Sequence, residues 1–309
     1  MHLQIVQATE AAAIAASAYV GSGDKIAADS AATKAMRNHL NKMDFAARVV
    51  IGEGEKDGAP GLFKDELVGL QAKKLKGDKV KFYDLAIDPI DGTTQTAKGG
   101  YEAMSVIAVG EEGCLFPSKV YYMNKIAVGP KVAKQISLSI TDPVKRIVQG
   151  VSLATGKDII TVCLLDRLRH EKLVAELRQC KCRIRFIQDC DVSGAIAAAL
   201  PDTGIDLFVG IGGAPEGVIA AVAIKALGGD FQGMLADNKE YKPIDNTILG
   251  FPELAKGDVM FAATGVIQGS LLRGVRYTPH GVVTHSILMD SSDGTVRWFE
   301  SHHGNLEQD

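Results

Sequence analysis

The sequence predicts a mixed α/β protein in which helices cover the faces of β-sheets. Three features point to it. After about residue 150, strand-like and helix-like stretches alternate, the order that builds a sheet with helices on its faces. The first 43 residues hold two Ala-rich stretches with apolar positions at helical spacing. Of the 309 residues, 46% are hydrophobic but only 6% aromatic, with 33 glycines, which favours close helix-on-sheet packing over an aromatic-rich surface.

In chain order, helices are predicted at 4–20 and 27–43. Gly21-Ser22-Gly23-Asp24-Lys25 between them forms a turn that also starts the second helix. Arg48-Val49-Val50-Ile51-Gly52 is a short strand running into the acidic, Gly-containing segment Glu53 to Gly61. A strand at 80–87 ends at Asp88, and two more follow at 103–109 and 122–128. The polar stretch 141–150 reads as a boundary, dividing an N-terminal α+β domain (1–145) from a C-terminal α/β domain (146–309). Beyond it, strands are predicted at 159–165, 183–187, 206–210 and 258–262, and helices at 168–179, 191–199 and 215–227. The last strands span 282–289 and 295–300.

Composition excludes several function classes. Net charge is −3 and no basic block is present, so no nucleic-acid footprint is expected. Glu10 interrupts the apolar N-terminus, which reads as an amphipathic helix and not a signal peptide. No apolar run is long enough for a bilayer, so no membrane association is expected. The five cysteines are odd in number and irregularly spaced, which argues for reduced thiols in a cytoplasmic protein. Cys180-Lys181-Cys182 has one spacer, short of a usual zinc pair.

The chemistry concentrates at Asp88-Pro89-Ile90-Asp91-Gly92-Thr93-Thr94. Asp88 sits at a strand's carboxyl end, where open sheets place ligands. Two carboxylates this close repel unless a positive charge lies between them, and a hard divalent cation answers that with oxygen ligands. The Ile90 carbonyl is a further candidate ligand. Gly92 permits a close approach, and Thr93 and Thr94 could cap a following helix. Three distant acids are candidate partners: Glu53 after a strand, Asp29 on the second helix, and Glu216 in the loop Gly210 to Gly217. Each has a plainer reading. Glu53 is also a loop acid, Asp29 an ion-pair partner of Lys25 one turn earlier, and Glu216 an acid favoured by a helix N-terminus. Arg167 and Arg169 end another strand, and their forks match phosphate oxygens, although a solvated helix start would look the same. Asp189-Cys190-Asp191 could accept hydrogen bonds from sugar hydroxyls, or Asp191 could be an N-cap. Tyr122 and Lys125 could reach a phosphate or serve the core and surface.

Taken together, these segments, with Gly23-Asp24-Lys25, Tyr122-Met123-Asn124-Lys125, Arg169-His170 and Ala262-Ala263-Thr264-Gly265, resemble the GlpX-type class II fructose-1,6-bisphosphatases of the lithium-sensitive phosphatase superfamily. The resemblance spans nearly the whole chain. It implies a layered αβαβα sandwich of the sugar-phosphatase fold, and hydrolysis of the 1-phosphate of fructose 1,6-bisphosphate to fructose 6-phosphate with Mg²⁺ or Mn²⁺. It implies metal ligands at Asp29, Glu53, Asp88, Asp91 and Glu216. Catalytic roles fall on Thr93, positioning the attacking water, with Asp29 or Glu53 as the activating carboxylate. Substrate contacts fall on Asp91, Gly92, Thr93, Tyr122, Lys125, Arg167, Leu168, Arg169, Asp189, Cys190, Asp191 and Gly213. A homo-oligomer, dimer or tetramer, is expected. Asp91 departs from the family, which usually has Glu there, and the stretch from Gly233 to Pro252 looks shorter than usual. The rival readings are a sedoheptulose 1,7-bisphosphatase or dual-specificity enzyme, an inositol-phosphate phosphatase, and a non-catalytic protein that binds metal or sugar phosphate.

Overall fold

The computed structural model describes residues 1–52, 61–72 and 80–304. The chain divides into two compact units, one of Met1–Leu115, Gly257–Asp290 and Val296–Asp309, the other of Phe116–Lys256 and Ser291–Thr295.

Helices α1 (His2–Ser17) and α2 (Lys25–Leu40) open the first unit. The Asp24 carboxylate accepts the Ala27 N–H at 2.9 Å, so α2 begins two residues earlier than apolar spacing suggests. Then come β1 (Ala46–Ile51), β2 (Leu67–Val68), β3 (Phe82–Asp91), α3 (Thr93–Lys98) and β4 (Ala103–Glu111). The second unit holds β5 (Tyr122–Val128), α4 (Pro130–Ala133), α5 (Val144–Thr155), β6 (Thr161–Leu165), a 3-10 turn at Leu168–His170, α6 (Glu171–Gln179), β7 (Arg183–Ile187), α7 (Asp191–Ala199), β8 (Leu207–Gly213), α8 (Ala214–Ala226), β9 (Asp230–Ala236) and α9 (Phe251–Leu254). Strands β10 (Val259–Ile267), β11 (Arg276–Thr278), β12 (Gly281–Asp290) and β13 (Thr295–His303) finish the chain.

The first unit's sheet has the order β11-β12-β10-β4-β3-β1-β2, with β13 paired to β12. Only β1 and β3 among these registered pairs run parallel. The last strands therefore return to the sheet begun by the first hundred residues, with Ala262 of β10 opposite Ile107 of β4. Helices α1 and α2 lay Ile5, Val6, Met36 and Leu40 in one core with Val49, Leu85, Ile87 and Ile107. Burying a side chain the size of Leu40 contributes about 1.5–3 kcal/mol.

The second unit's sheet has the order β7-β6-β8-β5-β9, parallel across β7, β6 and β8 and antiparallel at β5 and β9. On one face α5 and α6 bury Ile147, Val151 and Leu177 with Val162, Leu164, Leu207 and Val209. The alternate residues face the other way. Cys163 and Phe208 meet Gly194 of α7, where a Cβ would lie 3.2 and 3.1 Å from them. Taken separately, each unit packs helices on a mixed sheet, as the predicted mixed α/β class requires. No helix among the described residues is long and apolar enough to cross a membrane.

Two elements depart from the sequence reading. The polar stretch 141–150, read as a boundary, also holds a helix that the sequence reading did not assign, because most of it is α5. Its buried residues Ile147, Val148, Val151 and Ala154 follow helical spacing while Lys145, Arg146 and Gln149 face water. Strand β9 hides among turn formers. Gly233 sits in it because a Cβ there would lie 2.4 Å from the Met123 sulfur.

Candidate functional site

In the first unit, β3 does not stop at Asp88 but continues to Asp91. Asp88 pairs with Val106 and Asp91 with Met104 of β4. Three steps on β3 thus match two on β4, a bulge of one residue at Pro89-Ile90. Pro lacks the N–H that a regular ladder needs, and bulges tolerate it. In an unbroken strand, residues three apart point to opposite faces. The extra residue reverses that parity and brings both carboxylates to the face shared by Val106 and Met104. Asp91 is buried at 5% exposure and Asp88 half-buried. The Asp88 carboxylate accepts the Ile90 N–H at 3.0 Å. Gly92, at φ +103°, caps α3 in a conformation that side chains avoid. The expected hydroxyl cap at Thr93 and Thr94 is absent. Thr93 instead donates its hydroxyl to the Ile90 carbonyl at 3.0 Å, since Gly92 already occupies the cap.

The turn before α2 is sewn to α3, with Gly21 N–H on the Thr96 carbonyl at 3.0 Å and Gly23 N–H on the Ala97 carbonyl at 2.8 Å. Helix α2 also packs against α3 and β3, so the half-buried Asp29 rides on the helix beside this corner. Glu53 lies outside the described residues. Its predecessor Gly52 leaves β1 with its Cα pressed on the Leu62 carbonyl, where a Cβ would sit 1.9 Å away.

In the second unit a second cluster forms where β5, β8, α7 and α8 meet. Lys125 of β5 is only 2% exposed. Its ammonium donates to the Asp191 carboxylate and, at 2.9 Å, to the Gly213 carbonyl. Asp191 is the first residue of α7 and not its cap, because the preceding Cys190 takes the capping place in the left-handed region at φ +59°. The Cys190 side chain is buried. Glycines line this cluster of necessity. A Cβ on Gly212 would lie 1.9 Å from Asp191 Oδ2, and one on Gly213 would lie 1.7 Å from Glu216 Oε2. Strand β8 therefore runs through the glycines that read as a loop, to Gly213, where α8 begins. Burial pushes the Glu216 carboxyl up, and the Asp191 and Asp189 charges push it further, against the pull of Lys125. Its Oε2 is buried with no hydrogen-bond partner among the described residues.

Arg167 and Arg169 take different roles. Arg167 spends both terminal amino groups on carbonyls, of Asp166 at 2.9 Å and Gln188 at 2.6 Å. Leu168 between them is 85% exposed. Arg169 spends only Nε, on the Ile211 carbonyl at 2.9 Å, and among the described residues its terminal amino groups have no protein partner. Its guanidinium carbon lies 5.3 Å from the Tyr122 ring centroid. Burial, and after it the hydrogen-bonded Tyr241 hydroxyl, push the Tyr122 phenol up.

Sequence reasoning did not single out His170 as a site residue. It is buried, with Nε2 accepting the Ile211 N–H at 2.8 Å and Nδ1 on the Leu165 carbonyl at 2.7 Å. Accepting at Nε2 requires the neutral ring with its proton on Nδ1. The imidazole thus holds the N–H of Ile211, the same residue whose carbonyl receives Arg169. Burial holds its pKa below the ordinary histidine value, with Arg169 and Arg167 adding to the effect against two backbone hydrogen bonds. A folded pKa below the unfolded one means that the unfolded chain binds the proton more readily. The stabilisation is complete above the unfolded value near 6.5 and is lost as pH falls from there through the folded pKa. Urea midpoints measured from pH 8 to 5 should fall, and His170→Gln should flatten that slope. An unchanged slope in the variant would refute the assignment.

Among the described residues, no three His, Cys, Asp or Glu side chains already form a group that could hold a metal ion. The donors nevertheless suit a hard cation in each unit taken separately. Asp88 and Asp91 share one face, and Glu216 has a buried oxygen that lacks a partner among the described residues and a proton affinity raised by burial and then by neighbouring carboxylates.

The chain matches, over residues 1–303, the family described as bacterial fructose-1,6-bisphosphatase, glpX-encoded. It is 39% identical to the D-fructose 1,6-bisphosphatase class 2/sedoheptulose 1,7-bisphosphatase of Trichodesmium erythraeum (strain IMS101), covering 97% of this chain and 95% of that protein. It is 36% identical, with the same coverage of each chain, to D-fructose 1,6-bisphosphatase class 2/sedoheptulose 1,7-bisphosphatase 1 of Acaryochloris marina (strain MBIC 11017). Identity is also 36% to the similarly named protein of Microcystis aeruginosa (strain NIES-843 / IAM M-2473).

Proposed function

The chain belongs to the glpX-encoded bacterial fructose-1,6-bisphosphatase family, and on that premise we propose that it hydrolyses the 1-phosphate of fructose 1,6-bisphosphate to give fructose 6-phosphate. It is a phosphoric monoester hydrolase of the metal-dependent kind. The observation that carries the substrate class is Arg169, a half-buried guanidinium with its outer edge open to a second phosphate. A monophosphate such as an inositol phosphate gives that edge nothing to bind. Sedoheptulose 1,7-bisphosphate is a second substrate on this reading, favoured by the paired activities in the relatives' names.

The carboxylates proposed as ligands for Mg²⁺ or Mn²⁺ are Asp29, Glu53, Asp88 and Asp91 in the first unit. Glu216 is proposed as a ligand on its own evidence, the partnerless buried Oε2. When bound, such a cation supplies charge neutralisation for phosphate oxygens and a more acidic water. The chain's own groups do the rest. Thr93 directs its proton at the Ile90 carbonyl, so its oxygen lone pairs are left to accept from the attacking water and orient it. Asp29 or Glu53 takes the water's proton. Arg169 and Tyr122 bind the phosphate that does not react, and Asp189 the sugar hydroxyls. Lys125 and Asp191 act at one remove, holding the Gly213 carbonyl and the start of α7 in place. Remote binding of this kind lowers the barrier only when it aligns the reacting phosphate.

The five free cysteines support a cytoplasmic location. Exposed Tyr277 and Trp298 on β11 and β13 support a homo-oligomer. The test is phosphate release by the purified protein with Mg²⁺ or Mn²⁺ across fructose 1,6-bisphosphate, sedoheptulose 1,7-bisphosphate and inositol monophosphate. Release from the bisphosphates is expected. Absence of turnover on every sugar bisphosphate would refute the assignment.

A further inference from the structure

Arg169 has a second aromatic neighbour that the family resemblance does not supply. Its guanidinium carbon lies 5.2 Å from the Tyr241 ring centroid, against 5.3 Å for Tyr122. The two rings meet edge to face, 4.9 Å apart at 82°. Both distances to the cation are within cation–π range. With Nε tied to the Ile211 carbonyl, the guanidinium is held by a strand carbonyl and two ring faces. Its two terminal amino groups are the part left for a ligand.

Tyr241 is placed there by a built loop. The Asp237 carboxylate accepts the N–H groups of Lys239, Glu240 and Lys242 at 2.8, 2.7 and 2.9 Å. The Asp237 N–H closes the loop on the Lys242 carbonyl at 2.9 Å. Tyr241 itself sits at φ +58°, a left-handed conformation that bulky residues seldom adopt. A loop that merely crossed the surface would have no need to hold a tyrosine there. The loop falls in the stretch from Gly233 to Pro252, which the sequence reading expects to be shorter than usual in the family.

We propose that Tyr241 is a specificity-determining residue for the bisphosphate substrate: with Tyr122 it clamps the Arg169 guanidinium so that both terminal amino groups face the non-reacting phosphate. The inference rests on the reading of Arg169 as the remote-phosphate site. A free arginine side chain loses rotamer entropy when it binds, and a clamped one has already lost it. Tyr241 therefore raises affinity for substrates that carry the second phosphate and does little for those that lack it.

The test compares kcat and KM for fructose 1,6-bisphosphate and fructose 1-phosphate in the metal-loaded enzyme. Tyr241→Leu keeps an apolar side chain and removes the ring, and Tyr241→Phe keeps the ring, so misfolding and loss of the π-face are told apart. Tyr241→Leu should raise KM for the bisphosphate about three- to tenfold and lower the preference for bisphosphate over monophosphate by the same factor. Tyr241→Phe should retain most of that preference. Arg169→Ala should lower it about 10- to 100-fold, the scale of a lost charge-assisted contact. In the Arg169→Ala background Tyr241→Leu should add nothing further. If Arg169→Ala lowers the preference and Tyr241→Leu does not, the clamp is refuted while the remote-phosphate site stands. Additive effects of the two changes would also refute it, since Tyr241 would then act elsewhere. If Arg169→Ala leaves the preference intact, the remote-phosphate reading falls and the clamp falls with it.

Discussion

Asp88→Asn should lower kcat by roughly three orders of magnitude or more, about 4 kcal/mol of barrier at one decade per 1.36 kcal/mol. The fold should survive it. Asp88 is half-buried, and an asparagine carbonyl can still accept the Ile90 N–H that the carboxylate accepts at 3.0 Å. On the proposed ligand set, the loss is that of a negative charge that would face a bound cation. Turnover with saturating Mn²⁺ measures the first effect, and the thermal midpoint of the variant measures the second. A midpoint that collapses along with kcat would make Asp88 a structural residue and remove it from the proposed ligand set.

The second large effect is on stability. Lys125→Met should destabilise the protein by about 3–5 kcal/mol, the range for removing one member of a buried ion pair. The ammonium is the cation that Asp191 and Glu216 share, in a cluster where the Glu216 carboxyl already resists ionisation. Without it, Asp191 keeps a buried charge with no counter-ion and the Gly213 carbonyl loses a donor. The double change Lys125→Met with Asp191→Asn should recover part of the loss, because it removes the stranded charge as well. Urea unfolding of the three proteins decides it. If the single change costs less than about 1 kcal/mol, the value of an exposed pair, the cluster is open to water and the packing described for it is not what holds α7 and α8 on the sheet.

Much of the element order was legible in the sequence. Strand β5, strand β7 and helix α7 occupy the residues that spacing alone assigns to them, because alternation and helical spacing are local properties of the chain. Helix α5 was also legible in principle. Its apolar positions at Ile147, Val148, Val151 and Ala154 keep helical register, but the charged residues between them drew the eye to a boundary. Strand β9 was not legible, since Gly233 signals a turn until Met123 is known to lie against it.

The candidate site divides the same way. Residue type alone marked Asp88, Asp91, Glu216 and Arg169 as groups with chemistry to do. It did not separate Arg169 from Arg167, two residues away with the same side chain, because the difference lies in the Gln188 and Ile211 carbonyls that each one meets. Nor did it reach Tyr241 or His170, whose roles exist only through a neighbour brought from elsewhere in the chain.

By itself, then, the sequence determined most of the segments that become helix and strand, and which side chains carry charge suited to a phosphate and a hard cation. Tertiary structure alone decided that Asp88 and Asp91 share a face, since that parity depends on one residue being extruded in the pairing with β4. It also decided that Lys125 is buried against an aspartate 66 positions away and that β10 returns to pair with β4. The physical reason is common to all three. Local pattern specifies which face of an element is apolar, whereas the partner laid against that face is selected by packing and hydrogen bonding over the whole chain.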